Sequence, residues 1–173
     1  INGEDVASKL KILTSLAFNT YINNDIHVEG ISQVDQEDII NANNLGYKIK
    51  LLGISESENN KITQRVHPSL IKNNHFLSSI DGVQNVVIVN GNPVGQSVLQ
   101  GEGAGPRATT SALVSDISSI ARGNIKYPFS ISDIERKKLK PNSIKEKSFS
   151  AYIRLDVIDK HGVLSNITSF FSR

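Results

Sequence analysis

The chain has 173 residues, of which 38% are hydrophobic and 21% charged, with a formal net charge of +2. This is the balance of a globular protein with a real hydrophobic core. It excludes a disordered tract, and no apolar run approaches the roughly 20 residues that a membrane span needs.

Basic residues are scattered except for Arg136, Lys137, Lys138 and Lys140, so no footprint for nucleic acid is expected. Together with Lys145 and Lys147, that run reads as a solvated linker. The absence of cysteine removes disulfides, thiolate metal sites and sulfur nucleophiles. No basic stretch followed by an apolar one opens the chain, which argues against secretion. The chain starts at Ile1 and contains no Met, so further sequence is expected upstream.

Val6, Leu10, Leu13, Leu16 and Ala17 recur at helical spacing and predict a helix from Asp5 to Asn19. A second helix is predicted from Asp35 to Asn44, with Asp35 and Asp38 spaced as a capping pair and Gly46 as the stop. Tyr47–Ile54 and Ile62–Val66 read as strands, the latter ending at His67 before Pro68. Val83–Val89 is strongly β-branched, Asn90–Pro93 carries turn residues, and Val94–Leu99 returns as a hairpin partner. Gly101, Gly103 and Gly105 then lead through Pro106 into a helix from about Ala108 to Ala121, stopped by Gly123. Residues 124–150 are polar and lysine-rich and read as a linker with little core. Tyr152–Ile158 alternates as a strand and Val163–Phe171 is helix-like. One strand and one helix cannot bury their apolar faces alone.

Asp5 and Lys9 stand four apart and share a helix face about one turn apart. By spacing alone this reads as an ordinary surface pair rather than a catalytic one. The glycines at 101, 103 and 105 permit close backbone approach, and the helix start behind them presents free N–H groups suited to an anion. The spacing is G-x-G-x-G, which is not the primary dinucleotide fingerprint, and a tight structural turn explains it equally well. His27, His67, His75 and His161 show no metal-ligand spacing, so no metal site is expected.

Taken in series, these segments resemble homoserine dehydrogenase. The resemblance is carried by Gly3–Leu10, Glu29-Gly30-Ile31, Leu45–Leu52, Val66-His67-Pro68, Asp81–Asn85, Gly101–Gly105 and Ser111–Asp116. They fall in order and at matching separations between about Ile1 and Arg122. The resemblance implies that Lys9 is the catalytic proton donor when aspartate semialdehyde is reduced to homoserine. Asp5 would be the carboxylate that binds the amino-acid substrate. Gly103, Ala104 and Gly105 would approach the nicotinamide of NAD or NADP. A Rossmann domain, which binds most of that cofactor, would lie upstream of Ile1 and is not in this sequence. Residues Tyr152–Arg173, with Asp159, Lys160, His161, Gly162, Val163 and Leu164, resemble the start of an ACT domain, a module that binds an amino-acid effector. His161 stands where that pattern more often has proline.

The fold expected is therefore α/β (α+β), a mixed and largely antiparallel sheet with packed helices, then a linker and an incomplete ACT-like βα segment. Residues 1–123 would form the catalytic, substrate-binding and dimerisation domain, 124–150 the linker, and 151–173 the beginning of the regulatory domain. The implied assembly is a homodimer. The chain taken alone would be inactive, and the competing reading is a non-catalytic dimerisation or amino-acid-sensing module on the same scaffold.

Overall fold

The computed structural model describes residues 2–21, 26–144 and 147–172. Helix α1 (Glu4–Phe18) comes first, followed by a short strand β1 (His27–Val28) and helix α2 (Gln36–Asn44). Strands β2 (Tyr47–Glu58) and β3 (Lys61–Lys72) form a long antiparallel hairpin. A second hairpin, β4 (Gln84–Gly91) and β5 (Gly95–Glu102), leads into helix α3 (Pro106–Ala121). Strand β6 (Lys140–Pro141) and helix α4 (Val163–Phe171) follow, and short 3-10 turns lie at Phe76–Ser79 and Asp133–Glu135.

The main sheet runs in the order β1-β3-β2, with β1 parallel to β3 and β2 antiparallel to it, while β4 and β5 form a separate two-stranded sheet. This is the mixed, largely antiparallel α/β architecture expected. Both strands of the long hairpin outrun the sequence-based boundaries, and β3 continues through His67 and Pro68. Proline lacks a donor and is tolerated at a sheet edge. That is its situation here, because β1 pairs with β3 only at Arg65 and Val66, and β6 only at Lys61 and Ile62.

Side chains alternate across a strand, and the register sorts the hairpin into two faces. Gly53 pairs with Val66 and Leu51 with Pro68. On that side lies α1, whose Ala7 and Leu10 form a buried cluster with Val66, joined by Val6, Ile26 and Leu51. Gln64 extends the contact by donating from Nε2 to the buried Thr14 hydroxyl at 2.9 Å. The approach is closest at Gly53, where an added Cβ would sit 2.9 Å from Val6 Cγ1 and 3.6 Å from both Leu10 methyls. The opposite face carries Lys48, Lys50, Glu56 and Arg65.

At one end of that charged face Lys50 Nζ donates to the Ile80 carbonyl and stands 2.6 Å from Asp81 Oδ1. Lys48 Nζ donates to the Ser78 carbonyl at 2.9 Å and lies 3.6 Å from Asp81 Oδ2. The two lysines thereby fix the short 3-10 turn Phe76–Ser79 and the chain that enters β4. The hydrogen bond from Lys50, followed by the charges of Lys48 and Lys50, lowers the Asp81 pKa below its ordinary value.

The polar stretch after α3 packs more than its composition suggests. Arg136 is buried, donating from Nη2 to the Thr20 carbonyl at 2.6 Å and from Nη1 to Asp133 Oδ1 at 3.1 Å, with the Phe129 ring 4.3 Å from its guanidinium carbon. Thr20 is fully buried and its hydroxyl donates to the Lys137 carbonyl at 2.8 Å. Lys140 and Pro141 then pair with Lys61 and Ile62. This stretch is anchored by hydrogen bonds and a stacked guanidinium, which counting apolar residues does not register.

Two further expectations are corrected. Residues 152–158 belong to no sheet, so the predicted strand is present only as an unpaired segment. Alternation sets which side each residue faces, but a strand exists only with a neighbour to complete its ladder. Helix α3 begins at Pro106, two residues before the predicted start, because a proline at the first helical position loses no hydrogen bond there. Helix α4 matches the predicted limits.

Two outcomes are expected. Gly53→Ala should destabilise the fold by about 1–3 kcal/mol in urea titration, because α1 must shift to admit the methyl group. The Asp81 contribution is fully present above its ordinary pKa and lost as pH falls through the lowered folded value. Acid unfolding followed near Phe76 should therefore lose this component in Lys50→Met, with neutral-pH folding retained.

Candidate active site

Gly3, in a left-handed conformation with φ 87°, turns the chain into α1, and its carbonyl accepts from the Ala7 amide at 2.9 Å. Glu4 and Asp5 occupy the first turn, where carboxylates complement the positive end of the helix. One turn on, Lys9 Nζ lies 2.8 Å from Asp5 Oδ2. Both sit on the side of α1 away from Ala7 and Leu10, with side-chain exposures of 57% for Lys9 and 78% for Asp5. The pair forms as spacing predicts. Its surroundings are open, and no enclosing cleft is built around it by the described residues.

The glycine loop lies between β5 and α3. The Gly103 amide donates to the Val83 carbonyl at 3.0 Å, tying the loop to the base of the hairpin. A Cβ at Gly103 would overlap the Asn85 side-chain amide, which occupies the space that a side chain would need. Gly105 has φ 108° and ψ 158°, a backbone conformation essentially confined to glycine. A Cβ there would meet nothing within 4 Å. Gly103 is thus small because the hairpin closes over it, whereas Gly105 is small for its backbone shape and leaves its outer side open.

No side chain caps α3, whose first residue is Pro106, and so the N–H groups of its first turn remain available. An open groove beside this turn is lined by Pro106, Arg107, Thr110, Ser111 and Val114. Free donors, an open glycine face and the Arg107 cation fit part of an anionic or planar cofactor. They do not constitute a complete dinucleotide site. Among the described residues no hydrogen bond or ion pair joins the Asp5–Lys9 pair to this loop, and no group of His, Asp and Glu is arranged to hold a metal.

Lys48 and Lys50 lie in the Leu45–Leu52 segment that carries the resemblance, but the sequence assigns them no role of their own. They hold Ile80 and Asp81, from which the chain reaches Val83, the residue bonded to Gly103. Their signal was present as two lysines at alternate positions within a strand otherwise rich in Ile and Leu. Asn85 was quoted within a motif, but only the packing reveals why it faces a glycine.

No helix among the described residues is long and apolar enough to cross a membrane. A family model for homoserine dehydrogenase matches residues 1–118. The homoserine dehydrogenase of Helicobacter pylori is 40% identical over 100% of this chain and 41% of its own length. That of Bacillus subtilis is 35% identical over 99% of this chain and 40% of its own length. Among solved structures, a homoserine dehydrogenase from Thiobacillus denitrificans superposes with a TM-score of 0.79 at 32% identity, covering 99% of this chain and 41% of that one. The Staphylococcus aureus enzyme at pH 7.0 superposes with a TM-score of 0.66 at 42% identity, covering 72% of this chain and 32% of that one. The chain therefore spans about 41% of the length of the first curated relatives it matches. With a matching family model and relatives of this similarity, the chain belongs to the homoserine dehydrogenase family.

Proposed function

We propose that this chain is the substrate-binding and catalytic part of an enzyme that interconverts L-homoserine and L-aspartate 4-semialdehyde. The route served is threonine and methionine biosynthesis in the cytoplasm. The observation that carries the reading is the Asp5–Lys9 pair, 2.8 Å apart on one turn of α1, in a chain of this family. The reduced form of NAD or NADP, held mainly by a Rossmann domain elsewhere in the protein, would supply the hydride for the reduction, and the oxidised form would accept it in the reverse direction.

Reduction of an aldehyde places negative charge on the carbonyl oxygen as the carbon accepts two electrons. An ammonium beside that oxygen neutralises the charge and donates the proton, which balances the conversion to an alcohol. Lys9 has that role in this reading. Asp5 holds the cationic amine of the substrate and keeps Lys9 oriented through their ion pair. Gly103, Ala104 and Gly105, with the free N–H groups of α3, line the side of the site that receives the cofactor's reactive ring.

Both carboxylate and ammonium are exposed in this chain, and the rest of the protein must cover them to exclude water from the reaction. The chain alone is accordingly expected to be inactive. Residues 1–123 would form the catalytic and dimerisation domain of a homodimer, 124–150 a connecting segment, and 151–173 the beginning of an ACT domain for an amino-acid effector. Leu113, Val114, Ile117 and Ile120 of α3 are all exposed, which suits a helix completed by further protein.

The test uses the full-length enzyme and homoserine-dependent reduction of NAD(P). Lys9→Ala should lower kcat by about three orders of magnitude or more with circular dichroism unchanged, a loss in the range of general-acid and electrostatic effects combined. Asp5→Asn should raise KM for homoserine. Undiminished turnover in Lys9→Ala would remove this lysine from the mechanism. Gly103→Ala should also lower activity, and adding Asn85→Ala should recover part of it, because the second change vacates the space the methyl group needs.

A further inference from the structure

The segment from Lys147 to Arg154 returns across the molecule and is held at two charged points. At the first, Lys147 Nζ donates to Glu56 Oε2 at 2.7 Å, and the same oxygen accepts from Arg65 Nη1 at 2.7 Å. The Phe149 ring lies 4.9 Å from the Arg65 guanidinium carbon. At the second, Arg154 meets the first turn of α2. Its Nη2 donates to Asp35 Oδ2 at 2.7 Å, while Nη1 stands 2.9 Å from Asp38 Oδ1 and 3.8 Å from Glu37 Oε2. The Tyr152 hydroxyl donates to Asp38 Oδ1 at 3.2 Å and accepts from Asn41 Nδ2 at 3.2 Å.

A cation at the N-terminal end of a helix opposes the helix dipole. Here three carboxylates at positions 35, 37 and 38 reverse that preference and make the turn a receptor for guanidinium. Asp38 is the most enclosed of them, with 13% of its side chain exposed. Its Oδ2 accepts from the Asp35 amide at 2.9 Å in the capping box of α2, and its Oδ1 receives Tyr152 and faces Arg154. One carboxylate therefore serves both the start of the helix and the docking of the segment. Tyr152 and Arg154, two residues apart, engage α2, while the intervening Ile153 and the next odd positions, Leu155 and Val157, are exposed.

We propose that the acidic first turn of α2 is an intramolecular docking surface for the Tyr152–Arg154 segment, and that Asp38 couples docking to the stability of the α2 N-terminus. Release of the segment removes the cation that offsets Asp35, Glu37 and Asp38, and the first turn loosens. Docking is thereby transmitted to the helix that leads into β2 and its Lys48 and Lys50. This goes beyond the dehydrogenase reading and does not rest on it.

Hydrogen exchange of the full-length protein, with and without Arg154→Ala, tests the proposal. Arg154 lies outside α2, so its truncation leaves the helix sequence intact. Exchange should rise roughly ten-fold in peptides covering 36–44 and 148–158, as loss of a charge-assisted contact implies, while β2, β3 and α1 stay protected. Arg154→Lys should give a smaller rise, and raising NaCl from about 0.05 M to about 1 M should reproduce the pattern in the unaltered chain. Unchanged exchange in 36–44 on Arg154→Ala would overturn the coupling. A rise spread equally over β2 and β3 would overturn it as well, since that would mark general destabilisation.

Discussion

The contact between α1 and the β2–β3 hairpin governs where the Asp5–Lys9 pair stands. A helix can lie this near a strand only where one residue has no side chain, and Gly53 provides that position beneath Val6 and Leu10. Val66, the register partner of Gly53, fills the space beside it and is fully buried. With the inner side of α1 committed to this contact, the other side is turned outward. Asp5 and Lys9 are on that outward side because they fall out of phase with Ala7 and Leu10.

A second consequence follows from the two-sided hairpin. Its α1 face places Leu51, Gly53 and Val66 against the helix and makes the core, while its other face carries Lys48, Lys50, Glu56 and Arg65 and makes connections. Lys48 and Lys50 reach the chain entering β4, and Glu56 and Arg65 receive Lys147 and Phe149. The glycine loop is thus tied to the main sheet through a relay of polar contacts from Lys50 to Asp81 and from Val83 to Gly103. Charged side chains with several partners are directional, so they can fix a loop that has few apolar residues of its own to bury. The stretch around Arg136 follows the same logic, with a buried guanidinium bonded to the Thr20 carbonyl and stacked on Phe129.

The outward elements contrast with this anchored centre. Helix α3 buries no residue, and every position of β5 is exposed. Membership of the homoserine dehydrogenase family places this chain alongside proteins more than twice its length. Among the described residues, the apolar stripe of α3, the Asp5–Lys9 pair and the outer side of Gly105 are all open to solvent.

Periodicity and punctuation alone determined the helices, the β4–β5 hairpin, the central parts of β2 and β3 as separate strands, and the spacing that brings Asp5 to Lys9, because these are local properties of a chain with periods of 3.6 and 2. The glycine loop and its helix were legible for the same reason. Burial and partnership were settled only by packing between distant segments. Gly53 reads as an ordinary strand glycine until Val6 is seen above it, and Asn85 as a polar residue within a predicted strand until Gly103 is seen against it. The lysines of β2, the buried Arg136 and the grip of Arg154 on α2 join residues 30 to 119 positions apart. No local pattern encodes such pairs. The strand expected at 152–158 shows the converse, since alternation proposes a strand and only a neighbouring ladder completes it.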